Sequence, residues 1–212
     1  MIDLPKKCKR TGKPMISYSQ LSSFLKNKRD YFRKYFFNEP TEDNSYFEFG
    51  RRVGQALEKG DFSAFTNEEQ EFLKTLPRYD EFEREILLDC GEFVVTGYID
   101  SNASDLSKIL DYKSGTAKKK EEYESPDYIQ LLIYALAIKQ ETGRLPEKTT
   151  IILYDRIGNA FKGEELKLGN EFWEIDLPVT EERCEEVMEK LNATVKKISD
   201  YYSVFLKLNQ LS

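Results

Sequence analysis

Gly97-Tyr98-Ile99-Asp100, then Ile109-Leu110-Asp111-Tyr112-Lys113-Ser114-Gly115, are two apolar runs that each reach a carboxylate. Residues 82–88 and 93–99 are rich in β-branched and aromatic side chains. They flank Asp89-Cys90-Gly91-Glu92, a hairpin signal. Residues 101–106 read as a second turn and 108–112 as a third strand. Asp100 therefore ends one strand and Asp111 lies near the end of the next. In a plain hairpin the two carboxylates need not fall at the same end, whereas in a twisted or splayed meander they converge; strand signals leave both open. Asp111 and Lys113 are two positions apart, so on a strand both point to one face.

Outward from the meander the pattern turns helical. On the N-terminal side, residues 1–14 are basic and contain Pro, and read as a flexible arm. Ser17 supplies a capping oxygen for a helix carrying Leu21, Phe24 and Leu25. Tyr31, Phe32, Tyr35 and Phe36 continue an aromatic face, as two short helices or one bent one. A turn-rich break covers 38–44. Helices are expected over 46–59, stopping at Gly60, and over 68–75, ending before Pro77. Past the meander come a charged loop (115–124), a helix (127–142) with Ile129, Leu132, Ile133, Leu136 and Ala137 as its stripe, strands at 149–154 and 172–175, and a long charged helix over 180–205. A mixed sheet with helices on its faces buries all these stripes, so the expected class is α/β. Residues 15–212 read as one domain whose part from 15 to 76 is helical.

Composition narrows the chemistry. The 212 residues include no histidine, which removes imidazole nucleophile relays, His-ligated zinc and His general bases. Cys8, Cys90 and Cys184 are scattered and form no CxxC pair, against a disulfide framework or a structural zinc site. Oxygen ligands remain, and they favour hard cations such as magnesium or manganese. No apolar run approaches a membrane span and no signal peptide is evident, so the expected location is cytoplasmic, without a membrane partner. The net charge of −6 opposes strong nucleic-acid binding taken alone. Locally basic stretches at 6–13, 26–34 and 118–120 read either as solvated faces or as phosphate contacts.

Two convergent carboxylates, Asp100 and Asp111, would hold a divalent ion, with the Tyr112 carbonyl as a further oxygen. Lys113 would orient or deprotonate a water, or stabilise charge on a phosphorane. Those parts suit phosphodiester hydrolysis. The [DE]-x-K pattern alone is weak, since Glu165-Leu166-Lys167 repeats it.

Four blocks in order carry more. Ser17-Tyr18-Ser19-Gln20-Leu21, the segment Phe49-Gly50-Arg51-Arg52-Val53-Gly54-Gln55-Ala56-Leu57-Glu58, the Asp100 and Asp111 segments, and Gln130-Leu131-Leu132-Ile133-Tyr134-Ala135 together resemble the PD-(D/E)XK nuclease superfamily, in its RecB-type, lambda-exonuclease-like branch. The resemblance implies a restriction-endonuclease-like fold, with a central mixed sheet flanked by helices. It implies Asp100 and Asp111 as metal ligands and Lys113 as the catalytic lysine. Gln130 and Tyr134, four apart on one helix face, would border the site and touch the DNA backbone or Lys113, and Ser114 would contact substrate. Tyr18, Lys26, Arg29 and Arg33 would grip a DNA strand, although the neighbouring aromatics also read as core.

This chain departs from the branch at Gly54, where a metal-binding histidine falls in relatives. Glu58, one turn later, would supply a carboxylate instead or is an ordinary exposed glutamate. Three scattered cysteines do not reproduce the four-cysteine set of iron–sulfur relatives, so no cluster is expected. The resemblance implies a magnesium- or manganese-dependent deoxyribonuclease, an exonuclease by branch. DNA would be its substrate and a recombination, repair or replication protein a possible partner; an oligomer is compatible. A structure-specific endonuclease, or a non-catalytic nucleic-acid-binding or scaffolding subunit of the same fold, are the competing readings.

Overall fold

The structure, a computed structural model, describes residues 6–39 and 45–210. Strands β1 (Met15–Ser17), β2 (Glu81–Asp89), β3 (Val94–Asn102), β4 (Lys108–Gly115), β5 (Lys148–Ile157) and β6 (Lys167–Leu177) make one mixed sheet in the order β1-β3-β4-β5-β6, with β2 also on β3. Pairs β2–β3 and β5–β6 are antiparallel hairpins, while β4 and β5 run parallel. A parallel pair needs a crossover, and helix α6 (Gln130–Thr142) provides it. Helices α1 (Tyr18–Lys26), α2 (Lys28–Tyr35), α6 and α7 (Glu181–Gln210) pack on one face of the sheet; α3 (Ser45–Lys59) and α4 (Asn67–Thr75) pack on the other. The expected class, a central mixed sheet flanked by helices, is the one observed. Among the described residues no helix is long and apolar enough to cross a membrane.

Local chemistry sets the boundaries. Ser17 and Gln20 form a reciprocal capping box at the start of α1. Asn27, in extended conformation, ends α1 and caps α2, so the first helical stretch is two short helices. Thr66 and Glu69 repeat the capping box at α4. Gly143 (φ 82°) closes α6 in the left-handed conformation that a side chain disfavours. Strand β5 alternates Ile151 and Leu153 into one core with Ile152 and Tyr154 into the other, as a strand covered on both faces must. The aromatic face of α1 and α2 is core: Phe36 stacks on Tyr202 at 4.1 Å, and Phe32 meets Tyr201 and Phe205.

Several expectations change. The stretch 6–14, expected within a loose arm, is folded back: Lys7 bridges Pro14, Cys8 is buried, and the Lys13 ammonium lies 2.6 Å from Asp89. Residues 1–5 of that arm lie outside the described residues, as do 40–44 of the expected break. Strand β1 went unread because three residues are too few to show alternation. The supposed loop 115–124 holds a short helix, α5 (Lys120–Glu124). Strand β6 begins five residues before its expected start, since Gly169 and the polar ends of the hairpin mask its period. Helix α6 starts at Gln130 and is buried on every side through Ile138, because it lies between the sheet and α7; its stripe was therefore only part of the buried surface.

The feature that positions the site is a fork. One edge of β3 is paired along β2. Its other edge pairs with β1 at residues 94–96 and with β4 only at Ser101–Leu110 and Asn102–Ile109. Between these, β3 and β4 splay apart while β4 continues along β5. Opposite Asp100 the β2 ladder also skips a pair at Glu83, whose φ of 51° is left-handed. Phe82 joins one core whereas Ile86 and Leu88, of the same parity, join the other, so the two strands twist sharply there. On the α6 side Gly97 lets the Tyr134 ring approach: a Cβ at 97 would lie 2.7 Å from Tyr134 Cε1.

Gly97→Ala is therefore expected to lower stability by about 1–3 kcal/mol. Gly54→Ala, whose Cβ would meet nothing within 4 Å in mid-helix, is expected to raise it by about 0.5–1 kcal/mol. Thermal denaturation of the two variants beside wild type checks both signs.

Candidate active site

Strand register brings the two carboxylates together. Extending the pairs Asn102–Ile109 and Ser101–Leu110 by one step sets Asp100 opposite Asp111, at the point where the fork opens. The next ladder bond would join Tyr112 to Ile99. In its place the Asp100 side chain accepts the Tyr112 N–H at 2.6 Å. A residue in an extended strand directs its N–H and C=O to the same side, so the Tyr112 carbonyl opens into the fork as well.

Asp111 is 1% exposed and fully engaged. Lys113 Nζ lies 2.5 Å from its Oδ2. Gln130 Nε2 donates to its Oδ1 at 2.9 Å, and the Tyr128 hydroxyl reaches Oδ2 at 3.3 Å. The same Gln130 amide donates to Tyr134 Oη at 2.7 Å, while Tyr128 donates to Gln130 Oε1 at 2.9 Å. A carboxylate this deep is tolerated because every oxygen meets a donor and a cation stands beside it.

Asp100 fares differently. Burial, then the charge of Asp111, push its carboxyl up to about 7, against Lys113 and the Tyr112 N–H. Burial alone would lower Lys113, but Asp111 and Asp100 outweigh it and hold the ammonium above the ordinary lysine range. Glu83, beside this pair on β2, is raised by partial desolvation of its carboxyl and then by the charge of Glu58. Glu58, near the end of α3, thus comes within electrostatic reach of Glu83, and Glu83 of Asp100. Among the described residues no three His, Cys, Asp or Glu side chains converge closely enough to hold a metal ion. The donor set nonetheless fits a divalent cation: two carboxylates lie opposite each other in strand register with one ammonium on Asp111, and a main-chain carbonyl is directed at the same fork.

On the α6 side of Lys113 lies a cleft of about 820 Å³. Its walls include Tyr18 and Lys26 of α1, Tyr123 of α5, Tyr128, and Lys190 of α7. Burial raises Tyr18 to about 12 and Tyr128 well above its ordinary value, so both stay neutral hydroxyls. Of the residues singled out from sequence, Asp100, Asp111, Lys113, Gln130 and Tyr134 form one connected set, with Tyr18 at the cleft wall. Gln130 and Tyr134 lie buried behind Asp111 and orient it. Arg29 and Arg33 do not line the cleft, and Arg33 pairs with Glu39 at 2.6 Å. Ser114 turns to the other face of the sheet, where Arg156 Nη1 is 3.5 Å from its Oγ. Sequence reading passed over Tyr123, Tyr128, Glu83 and Arg156. Tyr128 sits only two residues before Gln130, but an isolated tyrosine gives no periodic signal.

The Asp100 shift has a stability consequence. Its folded value is above the unfolded one, so folding takes up a proton and the protein free of divalent ions loses stability as pH rises from about 4 through about 7. Asp100→Asn keeps an acceptor for Tyr112 and removes the charge. It is expected to melt several degrees above wild type at pH 8 in chelator, the gap closing toward pH 4; equal melting temperatures at pH 8 would contradict this.

The geometry can be set beside known proteins. No curated protein matches the sequence. A solved structure from Eubacterium rectale, provisionally described as an exonuclease, superposes with a TM-score of 0.55 at 12% identity, covering 87% of this chain and 79% of that one. At that identity the likeness shows the fold. The sequence profile of the PD-(D/E)XK nuclease superfamily matches residues 62–205, more than half of the chain, including Asp100, Asp111, Lys113, Gln130 and Tyr134. On that match the chain belongs to the PD-(D/E)XK nuclease superfamily.

Proposed function

We propose that this protein is a magnesium- or manganese-dependent deoxyribonuclease of the RecB-type branch, and that it works from DNA ends. The observation that carries the reading is the fork itself: Asp100 and Asp111 opposite each other, with the Lys113 ammonium on Asp111. Support for the branch is the run of sequence blocks from Ser17 to Ala135, and the fold likeness to a protein described as an exonuclease.

Asp100, Asp111 and the Tyr112 carbonyl would hold the cation, with Glu58 or Glu83 drawn in to complete the oxygen set. The cation would supply Lewis-acid activation of water and charge neutralisation at the scissile phosphate. Lys113 is held as an ammonium, so its part is to stabilise negative charge on the phosphate and to orient the attacking water, rather than to take a proton in the resting state. Gln130 and Tyr128 fix the Asp111 carboxylate, which leaves it no freedom to rotate away from the fork. Tyr18 and Tyr123 offer flat faces in the cleft beside Lys113, where an unstacked base of the strand would lie.

Digestion of end-labelled linear DNA is expected with magnesium or manganese and not with chelator. Lys113→Ala should reduce the rate by about 10²–10³-fold, compared below the melting temperature of the variant, which loses the cation beside buried Asp111. Closed circular DNA should survive where linear DNA is degraded, and equal cutting of both would refute the end requirement. A well-folded wild type that degrades neither form would overturn the nuclease reading in favour of a binding or scaffolding role.

A further inference from the structure

Arg156 stands on the far side of the catalytic strand from the tyrosine cleft. Arg156 continues the alternation of Ile152 and Tyr154, so its side chain leaves β5 on the α3 side. The extra residues of the register irregularity opposite it belong to β6: Tyr154 pairs with Phe172 but Arg156 with Leu168, and the Asp155 carboxyl sits over Gly169, where any Cβ would meet Asp155 Oδ2 at 2.1 Å. The Arg156 guanidinium lies 4.1 Å over the Tyr46 ring. The Tyr46 hydroxyl in turn donates to Asn159 Oδ1 at 3.1 Å and accepts the Ala160 N–H at 3.0 Å. Stacking and a pinned platform hold the charge in place before any ligand arrives.

That charge is little used by the protein. Among the described residues Arg156 has no carboxylate partner; its one side-chain hydrogen bond is the long contact from Nη1 to Ser114 Oγ, 3.5 Å. Its Nε is buried without an acceptor, and Nη2 is neither buried nor bonded; Arg84, whose Nε is buried likewise, differs in pairing its outer nitrogens with Glu81 and Glu141. Ser114 directly follows Lys113, and β4 pairs with β5 up to Gly115–Asp155. An oriented, under-paired guanidinium therefore sits at the end of the catalytic strand.

We infer that Arg156 binds a phosphate of the nucleic-acid strand, through its outer Nη edge, and so positions the strand over Lys113. The inference rests on the nuclease reading. A guanidinium suits this ligand because its planar fork matches two phosphate oxygens, whereas an ammonium makes a single point contact. Tyr46 acts as the positioning residue for Arg156.

The test is steady-state cleavage and salt-dependent binding of short oligonucleotides by Arg156→Ala, Arg156→Lys and Tyr46→Leu, each checked for native melting. Arg156→Ala is expected to raise KM about 10-fold with kcat changed far less, and to reduce the slope of log binding constant against log salt by about 0.7–0.9, the value of one phosphate contact. Arg156→Lys should keep the salt slope and recover only part of KM; Tyr46→Leu should raise KM without changing the slope. Oligonucleotides with a 5′-phosphate, a 3′-phosphate or neither locate the contact: a loss on all three assigns a backbone phosphate, a loss confined to one phosphorylated end assigns that terminal phosphate. Wild type that cuts DNA alongside Arg156→Ala with unchanged KM and salt slope overturns the role of Arg156 alone. Wild type that neither binds nor cuts DNA overturns the nuclease reading with it. If Arg156→Ala does not fold, the KM of Arg156→Lys decides, and an unchanged value overturns the inference.

Discussion

The ladder between β3 and β4 lasts two residue pairs and then gives way to a side chain. Asp100 takes the place of a main-chain acceptor for the Tyr112 N–H, and that substitution keeps the fork open without leaving a buried amide unsatisfied. Everything around it is arranged to tolerate the opening. Strand β1 fills the first part of the vacated edge, β2 backs the other edge, and β4 is secured along its whole length by β5. The opened fork can then present a carboxylate pair, an ammonium and a main-chain carbonyl to one place.

Electrostatics explains why the helices sit where they do. Asp111 is deeper than any carboxylate can be without several donors, and the donors come from β4 itself and from the start of α6. Helix α6 is anchored by apolar contacts on all sides, so Gln130 is held by a rigid element, and Tyr128, two residues before it, is tied to the Gln130 amide. The unequal treatment of the two acids follows from the same packing. Asp111 takes the lysine, the amide and the tyrosine; Asp100 has one main-chain N–H and its neighbour's negative charge, and its carboxyl rises accordingly. A divalent cation bound at such a pair would remove the repulsion that the protein leaves in place.

Strand β4 also divides two surfaces of different character. On the α6 side, Lys113 faces a tyrosine-lined cleft closed by α1, α5 and α7. On the α3 side, Ser114 leads to Arg156 and its aromatic platform. Alternation along β4 assigns one residue to each side, so a nucleic-acid strand lying across the end of the sheet would meet Lys113 and the tyrosines on one side and Arg156 on the other.

Much of this was legible in the order of residues. The Asp111–Lys113 spacing alone fixes a shared face, because the period of a strand is two. The lack of histidine limits metal ligands to oxygen. The capping Ser17 and the stops at Gly60 and before Pro77 placed helix ends to within a few residues, since those effects are local. Tertiary structure alone decided the rest. Whether Asp100 and Asp111 meet depends on how many pairs β3 shares with β4, and no local preference encodes the length of a ladder. Which tyrosines line the cleft, that Gln130 serves Asp111 from within the protein, and that Arg156 lies between Tyr46 and Ser114 all depend on chain segments tens of residues apart, brought together by burial of the two cores.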